Sequence, residues 1–166
     1  YTVPETTDPD KVYNPAFELA SWRFGLEKAQ LWRERLGQGR DEKWDEILRK
    51  LAPIPQADGI YLLEEHLPDS YTRWNHNHPS VAGILGIFPG TGVDPAIMGA
   101  TLDKIHTCWQ WPRTWGWDFP MLAMTAARLG RPEEALAFLF HENFTFDDRG
   151  YPKEGGPWPY LPSDRK

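Results

Sequence analysis

The sequence predicts an all-α chain of stacked helical hairpins, forming part of a toroid. Three observations carry this expectation. Apolar residues recur at helical spacing over long windows. The tripeptide Arg-Leu-Gly occurs at 35–37 and again at 128–130, each time between two helical windows. The connections at 53–78, 109–118 and 142–166 are long, aromatic and acidic. Stacked hairpins build either a solenoid or a toroid, and no fixed repeat period supports the solenoid. Long aromatic loops suit a ring whose connections at one end form a cleft.

Residues 1–14 are aperiodic and contain Pro and Asp, which reads as loop. Asn14-Pro15 reads as a helix start, with Asn as N-cap and Pro at the first helical position. The window 15–36 carries Phe17, Leu19, Ala20, Trp22, Phe24, Leu26, Ala29, Leu31, Trp32 and Leu36. So broad an apolar face predicts a well-packed helix, which Gly37 ends. From Asp41 to Leu51 the residues Trp44, Ile47, Leu48 and Leu51 fall at i, i+3, i+4 and i+7, and Pro53 and Pro55 stop this second helix. Residues 79–87 form a shorter, Gly-bearing apolar helix. Asp94 to Trp109 places Ile97, Met98, Thr101, Leu102, Ile105 and Cys108 on one face. Phe119 to Leu129 reads as a helix ended by Gly130. Pro132 restarts one, with Glu133 and Glu134 at its positive end and Ala135, Leu136, Leu139 and Phe140 on its apolar side. The Pro- and Gly-rich stretch from Tyr151 onward is irregular. It ends just after Pro159-Tyr160-Leu161-Pro162 without a closing helix, as a truncated chain would.

The length, 166 residues, suits one domain with a real core. A net charge of −6, with acids and bases interspersed, excludes a nucleic-acid surface, which needs a basic stripe. It leaves room for a neutral ligand such as a sugar. No apolar run approaches the ~20 residues a membrane helix needs. A single cysteine, Cys108, excludes an internal disulfide. The chain begins Tyr1-Thr2-Val3-Pro4 without Met, which reads as a processed form or a fragment. Nine Trp residues serve either as bulky core filler or as flat indoles for the apolar faces of pyranose rings.

Three constellations carry chemistry. The first is Glu5 in the leading loop with Asn14 and Glu18. Acid–base cleavage of a glycosidic bond needs one carboxylic acid to protonate the leaving oxygen and a second carboxylate to activate water, or a phosphate site instead. Glu5 reads as an exposed loop acid or as such a donor, Glu18 as a helix-dipole partner or a ligand-binding acid. The second is Tyr71-Thr72-Arg73-Trp74-Asn75-His76-Asn77-His78-Pro79-Ser80. His76 and His78 resemble a metal pair but lack an obvious third ligand, so no metal is expected. Planar amides and imidazoles suit sugar hydroxyls. The third is Trp109 to Pro120, with Trp109, Trp111, Trp115 and Trp117 at intervals of two, four and two. They cannot all face inward from one regular element. Asp118 reads as an N-cap or as a carboxylate at the rim of a Trp-lined cleft. No phosphate loop, nucleophile elbow, CxxC pair or HExxH motif occurs.

Asn14-Pro15-Ala16-Phe17-Glu18-Leu19-Ala20-Ser21-Trp22-Arg23-Phe24-Gly25-Leu26, Asn77-His78-Pro79-Ser80-Val81 and Thr114-Trp115-Gly116-Trp117-Asp118-Phe119-Pro120 together resemble six-hairpin glycosidase-like proteins, distantly similar to glycoside hydrolase families sixty-five and ninety-five. The resemblance runs to about residue 140. It implies an (α/α)6 toroid, cleavage of glycosidic bonds by an acidic pair, and a carbohydrate substrate. No cofactor, nucleic-acid partner or membrane is expected. Glu5, ahead of Asn14, becomes the leading proton donor and Asp118 the second acidic group. Asn14, Glu18, Trp22, Trp74, Asn75, His76, Asn77, His78, Trp115 and Trp117 are expected to line sugar subsites. Asn77 stands where the family pattern has Asp. A toroid of about twelve helices needs more than the five or six read here, which implies a missing segment or partner chain. The resemblance favours an extracellular or periplasmic setting. The competing reading is a non-catalytic helical module that binds carbohydrate or protein through Trp-rich loops.

Overall fold

The structure is a computed structural model that describes residues 13–146. Glu5, the rest of the leading loop before Tyr13 and the 147–166 part of the tail lie outside the described residues.

The described chain is mostly helical: α1 (Ala16–Arg35), α2 (Glu42–Lys50), α3 (Gly83–Gly86), α4 (Pro95–Cys108), α5 (Asp118–Arg128) and α6 (Pro132–Leu139). Short 3-10 turns at Ser80–Ala82 and Trp111–Arg113 lead into α3 and toward α5. No described helix is long and apolar enough to cross a membrane.

Both expected hairpins form: α1 packs on α2, and α5 on α6. The two Arg-Leu-Gly tripeptides close them in the same way. Gly37 and Gly130 take left-handed φ values of 69° and 73°, which glycine adopts without a Cβ penalty. The Gly37 N–H donates to the Glu34 carbonyl and the Gln38 N–H to Arg33. The Gly130 N–H donates to Ala127 and the Arg131 N–H to Ala126. These paired bonds satisfy carbonyls that a helix end otherwise leaves open. The first hairpin is also locked by Gln30, fully buried on α1. Its amide donates to the Asp41 carbonyl at 2.7 Å and accepts from the Asp41 N–H at 2.9 Å. Asp41 then caps α2 through the N–H groups of Lys43 and Trp44.

Three expectations are corrected. Asn14 does not cap α1. It sits at a left-handed φ of 47°, its amide donates to Glu65 Oε2 at 2.5 Å, and Pro15 takes the cap position without a side-chain bond. A side chain held by Glu65 cannot also reach the first-turn N–H groups. Second, α1 is not deeply packed. Only Ala16, Leu19 and Gln30 are buried, while Trp22 and Trp32 are 54% and 57% exposed. Its apolar residues are spread around the cylinder, and α2 and the 80–86 segment cover one side. Third, α6 turns Ala135 and Phe138 inward, not Leu136, Leu139 and Phe140, which are exposed. Phe138 is captured by an aromatic cluster with Trp111 and His106, and that contact sets the helix's rotation.

The 53–78 connection holds a β-hairpin that the helical reading missed. β1 (Gln56–Ala57) pairs antiparallel with β2 (Ile60–Tyr61). Asp58 and Gly59 form its two-residue turn with φ values of 51° and 78°, the Asp-Gly pair such turns favour. Tyr61 fixes this hairpin to α4. Its N–H donates to Thr101 Oγ1 at 2.9 Å, its hydroxyl accepts from the Asp94 N–H at 2.8 Å, and its carbonyl accepts from the Tyr71 hydroxyl.

The core centres on α5. Met121, Leu122 and Ala126 pack with Met98, Leu102 and Ile105 of α4 and with Val81, Ala82 and Ile84. The α3–α5 crossing is close enough to require glycine: a Cβ at Gly86 would stand 2.5 Å from both the Met121 carbonyl oxygen and Thr125 Oγ1. This packing holds the 74–78 loop beside the start of α5.

Candidate functional site

The turn from Trp115 to Asp118 opens α5 and is closed in both directions. The Asp118 N–H donates to the Trp115 carbonyl at 3.0 Å, and the Trp115 N–H donates to Asp118 Oδ2 at 2.9 Å. Asp118 is the first residue of α5 rather than its N-cap, and it is fully buried. From the other loop, His78 places Nδ1 3.1 Å from each Asp118 carboxylate oxygen. The imidazole lies between two indoles. Trp115 meets it edge-on at 4.8 Å and Trp117 lies tilted against it at 4.5 Å between ring centroids.

Exposure divides the roles. The Asp118 carboxylate has no open face, whereas the His78 side chain is 34% exposed and Trp117 is 40% exposed. Any ligand at this corner therefore meets His78 and Trp117, and Asp118 acts through the imidazole. Burial pushes the Asp118 carboxyl above the usual carboxylate range, against the opposing pull of His78 and the Trp115 N–H. With Asp118 ionised, Nδ1–H donates to it and Nε2 carries the free lone pair. That tautomer makes the outer nitrogen a hydrogen-bond acceptor and proton acceptor.

The neighbouring expected residues position this corner. Asn75 is buried and each end of its amide is engaged: Nδ2 donates to the Cys108 carbonyl at 2.5 Å and Oδ1 accepts from Gln110 Nε2 at 2.9 Å. Its carbonyl also accepts from the Gln110 N–H at 2.9 Å. The Asn77 carbonyl accepts from Trp109 Nε1 at 2.9 Å. The 74–78 loop is thus riveted to the end of α4. Each end of the Asn75 amide thus has one protein partner, and these bonds tie the loop to α4 and the segment after it. Trp74 stacks on His76 with centroids 6.2 Å apart, and the Arg73 guanidinium lies over the Trp74 ring, 5.3 Å from its centroid.

The tryptophan run divides between two environments. Trp109 is buried against Tyr71, and Trp111 packs on Phe119, Phe138 and His141. Trp115 and Trp117 flank His78, whereas Trp109 is in the core and Trp111 packs against it. Asn14 lies instead with Glu65. Glu18 and Trp22 are on the exposed side of α1, and among the described residues neither hydrogen-bonds to nor stacks on the His78 group. Also among the described residues, no cluster of three or more His, Cys, Asp or Glu is placed to hold a metal ion.

The sequence marks His78 and Asp118 separately but not as a pair. They are 40 positions apart and no local pattern links them. Gln110, the partner of Asn75, also went unnoticed, since a single exposed Gln carries no signal. The β-hairpin did have one, Asp58-Gly59 between two apolar-containing dipeptides.

No protein-family model, curated protein or solved structure matches the chain.

Proposed function

We propose that the corner formed by His78, Asp118, Trp115 and Trp117 is the sugar-binding and proton-transfer face of a glycoside-hydrolase-like helical domain, akin to the six-hairpin glycosidases. The observation that carries this reading is the imidazole held by a buried carboxylate between two indoles. The exposed Trp117 ring offers a flat apolar surface for a pyranose face. Nε2 of His78 accepts a proton or hydrogen bond from a hydroxyl or water beside it. Asp118 keeps the ring in the productive tautomer and stabilises the imidazolium that forms, the role a buried aspartate plays behind a catalytic histidine. In hydrolysis, water adds to the anomeric carbon as its proton passes to Nε2, the glycosidic C–O bond breaks, and the proton of Glu5 goes to the leaving oxygen. In this reading the described helices form part of an (α/α)6 ring.

The second reading, a helical module that binds carbohydrate or protein without catalysis, is favoured by the exposed Trp22 and Trp32 of α1 and Phe140 after α6.

Calorimetry with a panel of mono- and disaccharides, including α-linked glucosides and L-fucosides, tests the proposal. Saturable binding is expected, weakened by Trp117→Ala. Turnover of the bound disaccharide is expected to fall by about 10²–10⁴-fold in His78→Ala, the usual contribution of a general acid or base, and likewise in Glu5→Gln, with binding largely retained. A folded chain that binds none of these sugars overturns the proposal. Binding without turnover moves the chain to the second reading.

A further inference from the structure

A separate cavity of about 350 Å³ opens between α1, the loop after α2 and the turn before α4, and shares no lining residue with the His78 corner. Three features of it point to a ligand. First, among the described residues its one charged lining residue is Arg23, partly buried on α1. Among the described residues Arg23 has no carboxylate partner; its guanidinium only approaches the Leu48 carbonyl, at 3.5 Å. With no carboxylate partner among the described residues, the guanidinium is free to pair with a bound oxyanion. Second, Leu51, Pro53 and Ile54 line one wall with apolar surface. Third, Gln56 and Thr91 add an amide and a hydroxyl, with Tyr61 behind them.

The cavity opens to solvent past the exposed Pro53, Gln56, Thr91 and Gly92, and is floored by the buried Leu51 and Tyr61. Tyr61 is buried and bonded to Thr101 and Asp94 of the α4 region, so the hairpin that carries Gln56 is fixed in place. The volume lies at the lower end of small-molecule sites, which span about 300–1,000 Å³. It suits one ring-sized molecule and not a polymer.

We propose that this cavity binds a compact hydroxylated carboxylate, a sugar acid in chemical class, with its carboxylate paired to Arg23. The planar fork of the guanidinium matches a carboxylate in a two-point contact. Ligand hydroxyls pair with the Gln56 amide and the Thr91 hydroxyl, and the apolar face of the ring lies on Pro53 and Ile54. Because the net charge of the chain repels anions at long range, affinity arises from these local contacts.

The test is calorimetric titration of the full chain with D-glucuronate and with D-glucose, its neutral counterpart. Glucuronate is expected to bind saturably and glucose at least about tenfold more weakly, since a charge-assisted bond to the guanidinium is lost. Arg23→Gln is expected to remove that preference. Thr91→Val, at an exposed position outside the core, is expected to weaken glucuronate binding with the preference kept, and serves if Arg23→Gln does not fold. Trp117→Ala is expected to leave glucuronate binding unchanged, which separates this cavity from the His78 corner. Absence of glucuronate binding, equal affinity for the two sugars, or an unchanged preference in folded Arg23→Gln overturns the proposal. So does loss of glucuronate binding in Trp117→Ala.

Discussion

Replacing glycine by alanine should have opposite effects at two helical positions of this chain. At Gly86 the new methyl group would meet the Met121 carbonyl oxygen and Thr125 Oγ1, each at 2.5 Å. A relaxed carbon–oxygen approach is about 3.3 Å, so α3 and α5 must separate by roughly 0.8 Å. The obstruction includes backbone, which cannot swing aside. The same Thr125 hydroxyl lies 2.9 Å from the Ala82 carbonyl and ties α5 to the turn before α3, so the displacement also strains that bond. Overpacking of this kind costs about 1–3 kcal/mol. The intrinsic helix preference of alanine returns up to about 1 kcal/mol, less at the last residue of a short helix. Gly86→Ala is therefore expected to destabilise the fold by about 1–2 kcal/mol, or by about 2–8 °C in Tm for a chain of this size. At Gly25, inside α1, nothing lies within 4 Å of the added methyl. Only the helix preference operates there, and Gly25→Ala is expected to stabilise by up to about 1 kcal/mol. Urea unfolding followed by tryptophan fluorescence reads both midpoints under one set of conditions. A Gly86→Ala midpoint equal to or above that of the parent would refute the close α3–α5 crossing. A Gly25→Ala midpoint as low as that of Gly86→Ala would refute the open face of α1.

Two further predictions concern the candidate site. Burial raises the Asp118 carboxyl in the folded state above its unfolded value, so the folded chain holds that proton more tightly than the unfolded chain does. Its contribution to stability is full below the ordinary carboxylate range and is lost as pH rises through the raised value. The stability of the parent relative to the non-titrating Asp118→Asn, read from urea midpoints, is thus expected to decline as pH rises above the ordinary carboxylate range. A difference that grows with pH would contradict it. Asn75→Ala leaves the Cys108 carbonyl and the Gln110 amide without their partner and is expected to cost about 1–3 kcal/mol. An unchanged unfolding midpoint would show that the 74–78 loop is held some other way.

The helices were legible because their signals are local. A Gly after Arg-Leu can take the left-handed conformation that the helix end needs, and it does so at both Gly37 and Gly130. The spacing of Met98, Thr101, Leu102 and Ile105 marks the buried face of α4, and all four are buried. Failures came where one residue had two local uses and a distant contact chose between them. Asn14 had the chemistry of a cap but was claimed by Glu65, 51 positions away. Leu136 and Phe140 had the right spacing for a buried face, but the aromatic group around Trp111 captured Phe138 instead.

The same division runs through the candidate site. Composition and local pattern determined that the chain is mostly helical and that its hairpins turn at Gly37 and Gly130, and they marked the 71–80 and 109–120 segments as candidates for a site. Only the tertiary structure decided that His78 meets Asp118, that Trp115 and Trp117 flank them while Trp109 is buried and Trp111 packs against the core, and that Arg23 lines a cavity with no carboxylate partner among the described residues. The physical reason is range. Capping, turn geometry and helical periodicity act within a few residues and leave their mark on neighbouring letters. Burial, charge pairing and hydrogen-bond competition depend on which segments the core brings together. Residues 40 positions apart, such as His78 and Asp118, carry no local sign that they will meet.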